Sequence, residues 1–310
     1  MAKFERVEDK WKELRKDLYG NVEPEVTLEA ITMPVTCDNS GVYWNSHGDI
    51  FWRAGTECED SDIINWEQVE RLPALAAGVS YGTKNKLEND SDKAIQLNKK
   101  LIKMGHHTPL ESIQINFGVS GISKACGAQI SRHRVGQGHV STSRRFKAAD
   151  PQFVYPVLDY IQDEEHVKEA LKTIERINLD CYEEYIHLQS EYQVSWVLDP
   201  DTGEQISGPA KIPMTPLKKE DRRMVLPISY ATERTWWINV RALRDFFRLR
   251  LAADAEWEIR RVAWMMFDLV SGLLPSLFED LTDESKIITR GSDDPFSTRM
   301  FNLLYRNTEM

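Results

Sequence analysis

The sequence predicts an α+β fold, and three observations carry that expectation. In Ser112-Ile-Gln-Ile-Asn-Phe-Gly-Val119, apolar and small or polar side chains alternate strictly, as a strand with one buried face requires. Two long stretches, 157–193 and 238–280, read as helical instead. Helical and extended segments follow one another irregularly, with no internal repeat and no low-complexity run.

Taken in order, residues 4–18 repeat Phe4, Val7, Trp11, Leu14 and Leu18 at helical spacing and predict a short amphipathic helix. Val26 to Val35 predicts a strand, ended by Pro34. Residues 36–64 are rich in Gly, Asn, Ser and acid, yet Trp44, Phe51 and Trp52 need packing, so this is an ordered excursion and not a linker. Ala94, Ile95, Leu97, Leu101 and Ile102 predict a helix over 91–104. The alternating strand comes next, then a helix from about Ser123 to His133. After the long helix of 157–193, residues 194–208 predict a hairpin turning at Asp199-Pro-Asp-Thr-Gly203. The last helical region spans 238–280.

Bulk properties exclude several classes. A chain of 310 residues can bury a large core, and its 41% apolar content is that of a soluble globular protein. Residues near Met1 form no apolar stretch, which predicts no signal peptide. The apolar patch from Val262 to Leu274 is broken by Asp268 and is too short to span a bilayer. Cys37, Cys58, Cys126 and Cys181 are scattered without CxxC spacing, which predicts reduced thiols in a cytoplasmic protein and no structural zinc. A net charge of -10 argues against a nucleic-acid-coating role.

That charge is uneven. From Ser112 to Ala149 there is no acidic residue, while Lys124, Arg132, Arg134, Arg144, Arg145 and Lys147 all fall there. Such a patch repels itself unless an anion sits in it, and guanidinium forks suit phosphates; a solvated basic surface is the plainer alternative.

Three segments carry chemistry. They are Gly105-His-His-Thr-Pro-Leu-Glu111, then Gln129-Ile-Ser-Arg132-His133-Arg134 with the following loop to Phe146, and Asn239 to Arg250. At helical spacing Gln129 and His133 share a face. Beyond Arg134, Gly136, Gly138 and several hydroxyl residues can bring backbone N–H groups to an anion, with arginines closing over it. Arg250 falls on the apolar stripe of Leu243, Phe246 and Phe247, so it faces either a cleft and a polar ligand or an intramolecular salt bridge. His106, His107, His133 and His139 lack an HxxxH or a carboxylate triad, so no metal is expected. No GxSxG, GxGxxG or P-loop pattern is present.

With these residues in view, the chain resembles the flavin-dependent thymidylate synthases. Arg132-His133-Arg134 followed at a short interval by Ser143 is similar to that family's Arg-His-Arg, seven residues, Ser motif. Ala76-Ala-Gly-Val-Ser80-Tyr resembles its Ala-Ala-Arg-Val-Ser/Cys-Tyr, with Gly78 for Arg. Gly105-His106-His-Thr108-Pro-Leu-Glu111 matches Gly-His-x-Ser/Thr-Pro-x-Glu. Arg223-Met-Val-Leu-Pro227 matches Arg-x-Val-Leu-Pro, and Asn239 to Arg250 matches Asn-x-Arg-x-Leu-x-x-Phe-x-x-Leu-Arg. Trp257-Glu-Ile259 completes the series.

The resemblance implies one α+β domain over 1–310, with a central, mostly antiparallel sheet flanked by helices and insertions near 36–64 and 194–216. It implies a homotetramer whose active sites are shared between subunits. FAD would be held by Ser80, His106, Thr108, Glu111, Arg132, His133, Arg134, Asn239, Arg241 and Asp245. The nucleotide dUMP would meet Gln129, Arg134, Thr142, Ser143, Arg144, Arg145, Arg223 and Arg250. NADPH would reduce the flavin and methylenetetrahydrofolate would supply the carbon. Arg250 would polarise the uracil carbonyl and Ser143 would act beside it, with no cysteine nucleophile, no metal, no nucleic acid and no membrane.

Departures from the pattern leave alternatives open. Eight residues, not seven, separate Arg134 from Ser143. With a gap in 135–142, Ser143 and Arg145 carry the phosphate contacts; without it, Thr142 and Arg144 do. Asp245, Asp254 and Glu256 stand where the family has Asn, His and Gln, and a carboxylate beside an anionic reduced flavin is repulsive. Two other readings follow: a flavin-dependent pyrimidine-nucleotide hydroxymethylase, or a catalytically silent nucleotide-binding homologue.

Overall fold

The computed structural model describes residues 12–32, 66–158, 160–198, 205–252 and 254–281. The expected helix at 4–18 is seen as a single helical turn at 12–15, and residues 1–11 lie outside the described set. So do the excursion at 36–64 and the hairpin turn at Asp199–Gly203.

Strands β1 (Glu25–Ile31), β2 (Gln114–Ser123), β3 (Gln137–Ser141), β4 (Tyr192–Leu198), β5 (Gln205–Pro213) and β6 (Ala231–Asn239) are interleaved with helices. The helices are α1 (Trp66–Ser80), α2 (Lys84–Glu88), α3 (Ser91–Lys103), α4 (Lys124–Ile130), α5 (Glu164–His187), α6 (Lys219–Arg222), α7 (Val240–Arg250), α8 (Trp257–Ser271) and α9 (Pro275–Phe278). The main sheet runs β1-β2-β6-β3 and every pair is antiparallel. β4 and β5 form a separate antiparallel hairpin, as the 194–208 segment predicted.

The alternating segment is a strand for the reason its pattern gives. Ile113, Ile115, Phe117, Val119 and Ile122 are all buried, with half-exposed polar and small residues between them. They meet Trp236 and Ile238 of β6 and the apolar faces of α7 and α8, including Leu243, Phe246, Phe247, Val262, Met266 and Val270. Each such side chain contributes roughly 1.5–3 kcal/mol by leaving water. Helices therefore cover one face of the sheet. The opposite face carries Thr27, Glu29, Glu233, Thr235 and Trp237 and is exposed.

A second core, built on Phe153, Tyr155, Leu171, Tyr185 and Tyr230, packs α5 against the segment leading into β6. Edge-to-face aromatic pairs such as Phe153–Tyr230, with centroids 6.0 Å apart, hold it.

Three helical expectations change in extent. The 157–193 helix begins at Glu164, because Asp163 accepts from the N–H groups of Glu165 and His166 as N-cap, and it ends at His187. The 238–280 region is three helices. Asn239 caps α7 and Glu256 caps α8, while Pro275 opens α9, and each start breaks what periodicity alone reads as continuous. The 123–133 helix stops at Ile130, where N–H groups of Arg132 and His133 turn to Gln129 and Ile130 carbonyls three residues back.

Candidate functional site

The three chemistry-bearing segments converge because β6 lies between β2 and β3. β2 is entered directly from the 105–111 segment, β3 follows the 129–134 segment, and α7 starts where β6 ends. Asn239 is the junction. Its side chain caps α7 by accepting from Ala242 N–H at 2.9 Å, and its own N–H donates to Gly136 O at 2.8 Å. Gly136 has φ of 69°, and a Cβ there would stand 2.5 Å from Asn239 Nδ2, so glycine alone lets the loop after Arg134 approach the helix start. Nearby, Arg241 Nη1 donates to Glu111 Oε1 at 2.5 Å and bridges the first and third segments.

Arg250, in the last turn of α7, reaches the second segment. Its Nε donates to His133 Nε2 at 3.2 Å. That bond requires an unprotonated Nε2, so His133 is the neutral tautomer with its proton on Nδ1. Burial, then the Arg250 charge, push His133 down to about 4, so it stays neutral at physiological pH. The ring sits edge-on to Phe246 with centroids 5.0 Å apart, and Phe246 in turn packs on Trp236. Gln137 completes the support: its amide donates to His133 O and its Oε1 accepts from Trp236 Nε1 at 2.7 Å.

Of the two readings of Arg250, the salt-bridge one is not met among the described residues: no carboxylate ion-pairs with it. Burial, then nearby Arg132, lower its pKa from the ordinary arginine value. Its remaining N–H groups are a preorganised donor set for negative charge on a ligand oxygen. Arg132 and Arg134 are exposed on the same loop. Because the helix ends at Ile130, Gln129 and His133 do not share a helical face as the spacing alone predicted.

The 142–145 loop divides into residues engaged with the rest of the fold and exposed ones. Arg144 is buried, lies 4.6 Å over the Tyr230 ring, and donates to the Ala148 and Ala231 carbonyls. Thr142 Oγ1 donates to Glu233 at 2.8 Å. The side chains of Ser143 and Arg145 are exposed. Arg223 is exposed too, its Nε donating to Glu220 O at 3.1 Å.

Other candidates stand apart. Ser80, His106 and Thr108 are exposed, and no hydrogen bond joins them to His133 or Arg250 among the described residues. Asp245 pairs with Arg248 at 3.1 Å, which offsets the carboxylate charge. Cys126 is buried and its thiol is pushed up by burial and Glu258, so it is no nucleophile. No group of three metal-ligating side chains occurs among the described residues. No described helix is long and apolar enough to cross a membrane. A groove on the exposed sheet face is lined by Glu25, Glu29 and Glu233, whose charges oppose a phosphate.

Sequence reasoning missed Arg234 altogether and left Lys124 as one charge in a patch. The signal was present in Thr232-Glu-Arg-Thr-Trp-Trp-Ile-Asn239, whose alternate residues Thr232, Arg234, Trp236 and Ile238 point inward. An arginine at an inward position and Trp237 at an outward one disguised the strand.

Comparison with known proteins bears on the family and the fold. A profile of the family described as thymidylate synthase complementing protein matches residues 63–276. The flavin-dependent thymidylate synthase of Pyrococcus furiosus is 29% identical over 183 residues, which span 58% of this chain and 63% of that protein. The protein of the same name from Sulfurisphaera tokodaii is 28% identical over 214 residues, 67% of this chain and 72% of that one. Among solved structures, the UMP/dUMP methylase PolB of Streptomyces cacaoi, bound with 5-Br dUMP, shares the fold with a TM-score of 0.57 at 19% identity, covering 84% of this chain and 95% of that one.

Proposed function

This chain belongs to the family of thymidylate synthase complementing proteins, and from that premise we propose that it methylates the uracil ring of dUMP to give dTMP. In this reading FAD is the cofactor, NADPH its reductant, and methylenetetrahydrofolate the carbon donor. One observation carries it: three segments far apart in sequence meet at one edge of the sheet, through Glu111–Arg241, Gly136–Asn239 and His133–Arg250.

The residues present fit a flavin dinucleotide. Arg132 and Arg134 are exposed cations without an ion pair among the described residues, suited to a diphosphate. Exposed Val79, Tyr81 and Val135 offer apolar surface for a ring system, and Ser80, His106, Thr108, Glu111, Asn239, Arg241 and Asp245 are the polar residues that the resemblance assigns to the cofactor. Bound flavin, once reduced, supplies the electrons that take the transferred carbon to the methyl level.

The chain's own residues supply binding and electrostatics. Arg250, oriented by His133, donates to a uracil carbonyl oxygen and stabilises the negative charge that develops as the ring carbon is alkylated. Neutral His133 accepts from Arg250 without adding a competing charge. Gln129 and Arg223 hold the nucleotide. Of the two loop alignments, Ser143 and Arg145 are the better phosphate ligands, because Arg144 and Thr142 are already engaged with Tyr230, Ala231 and Glu233. Assembly as a homotetramer with shared sites, which the resemblance implies, is part of this reading. The uncovered sheet face with Trp237 and Val140 is surface available for such packing. A cytoplasmic enzyme of one domain, with insertions at 36–64 and 194–216, fits this reading.

The test is an anaerobic assay of the full chain with FAD, NADPH, methylenetetrahydrofolate and either dUMP or UMP, reading products by mass. A dUMP product heavier by one methyl group is expected. Flavin reduction with unchanged dUMP would overturn the thymidylate assignment, and failure to bind flavin would overturn the enzymatic one.

A further inference from the structure

Arg234 is a buried arginine without a counter-ion. It points inward from β6 and is 7% exposed. Its Nη1 makes one long hydrogen bond, 3.5 Å to Ser131 Oγ, and its Nε has no acceptor. No carboxylate pairs with it among the described residues. The guanidinium crosses α4 at Gly127, where a Cβ would stand 2.3 Å from Nη2, so a side chain at 127 would displace it.

Lys124, Gly127 and Ser131 are three and four residues apart and so share that face of α4. Lys124 is half-buried, and no ion pair neutralises its ammonium among the described residues. The charges acting on it are all positive: Arg144, Arg234 and Arg223. Ser131 Oγ also lies 3.3 Å from His139 Nε2, and burial and then Arg234 lower the His139 pKa. Two desolvated cations against one helix face, with the Ser131 hydroxyl beside Arg234 and no anion paired with either among the described residues, are unfavourable unless an anion completes the set. A phosphate suits it, with the lysine as point charge and the arginine as fork.

We propose that Lys124 and Arg234, with Ser131 beside Arg234, bind the phosphate of the nucleotide substrate, beside Arg223 and the 143–145 loop. This rests on the nucleotide reading given above. Arg234 is then a binding residue set into the core, and its burial without a partner is the stability cost of that role.

The experiment titrates the FAD-loaded full chain with dUMP and with deoxyuridine, for wild type, Arg234→Met and Lys124→Met. The expected result is a tenfold or greater loss of dUMP affinity in each variant, with deoxyuridine affinity unchanged. Ligand-free Arg234→Met is also expected to melt at a higher temperature than wild type, which a structural arginine would not do. Unchanged dUMP affinity in the variants overturns the proposal, as does an equal loss for dUMP and deoxyuridine. If wild type binds neither, the nucleotide reading fails, and inorganic phosphate decides the site. Thermal protection by phosphate over chloride at equal ionic strength, lost in the variants, supports an anion site for another phosphate source; no protection overturns it. Should Arg234→Met not fold, Lys124→Met decides alone.

Discussion

Arg244 and Arg234 are both more than nine-tenths buried, and their surroundings differ in nearly every other respect. Arg244, on α7, is 1% exposed, and its Nη1 and Nη2 reach Asp280 Oδ1 at 2.8 Å and Oδ2 at 2.6 Å. It also donates to the Leu277 carbonyl, tying α7 to the turn that follows α9. Burial pushes Asp280 up, but the Arg244 bonds outweigh it and hold the carboxyl below its ordinary value. Arg234 has one long contact, no ion pair among the described residues, and the Lys124 ammonium close enough to feel its charge. The helical side of the molecule thus pairs Arg244 internally, while the edge formed by α4, β3 and the end of α7 leaves Arg234 and Arg250 without an ion pair among the described residues. Burial of an arginine by itself says little about its job; the identity of what neutralises it says much.

The sharpest way to break this comparison is Arg244→Ala. Removing the buried member of this bidentate pair, whose carboxylate is 36% exposed and so partly screened, is expected to cost about 3 kcal/mol of stability, read by urea denaturation. A loss comparable to that of an average surface substitution would end the distinction between the two regions. The next largest effect is on chemistry. Arg250→Ala is expected to lower kcat by about 10²–10³-fold, as loss of a single charge-stabilising donor does, while the melting temperature moves little. Arg250→Lys should recover little of it, because one ammonium cannot both meet His133 and present a planar donor pair.

The smallest effect is a pH slope that separates the two regions by sign. Glu258, on the helical side, accepts from Ser123 N–H at 2.6 Å and Oγ at 2.5 Å, and burial raises it to about 7 from 4.5. The folded state therefore holds its proton more tightly, and this contribution to stability is present below 4.5 and lost as pH rises through 7. His133, on the basic edge, falls from 6.5 to about 4, so its contribution is present above 6.5 and lost as pH falls through 4. The two oppose each other across the shared window. Glu258→Gln should leave stability rising with pH there, and His133→Asn should leave it falling, both measured by denaturation at stepped pH. The same sign of slope in both variants would contradict these assignments.

Legibility in the sequence followed how local each signal was. The 112–119 alternation and the 91–104 periodicity are carried by neighbours in sequence, and both became elements close to their expected bounds. The 238–280 stretch reads as one helix because apolar spacing continues across Leu251–Glu256, whereas capping by Glu256 restarts it. β6 went unread because its inward row includes Arg234, which hydropathy scores as outward. At the site, the motif residues were all visible, but the Glu111–Arg241 and His133–Arg250 contacts span 130 and 117 residues.

What the sequence determined by itself was the chemistry on offer: an acid-free basic segment, the Arg132-His133-Arg134 triplet, and an arginine on an apolar helix stripe at Arg250. These follow from residue type and spacing, which need no fold. The tertiary structure alone decided which charges are already satisfied. Arg144 and Arg145 are adjacent in the chain and alike in sequence, yet one is clamped on Tyr230 and two carbonyls while the other faces solvent. Neutralisation depends on groups brought within about 3 Å by strand pairing and helix packing, and no local pattern encodes that distance.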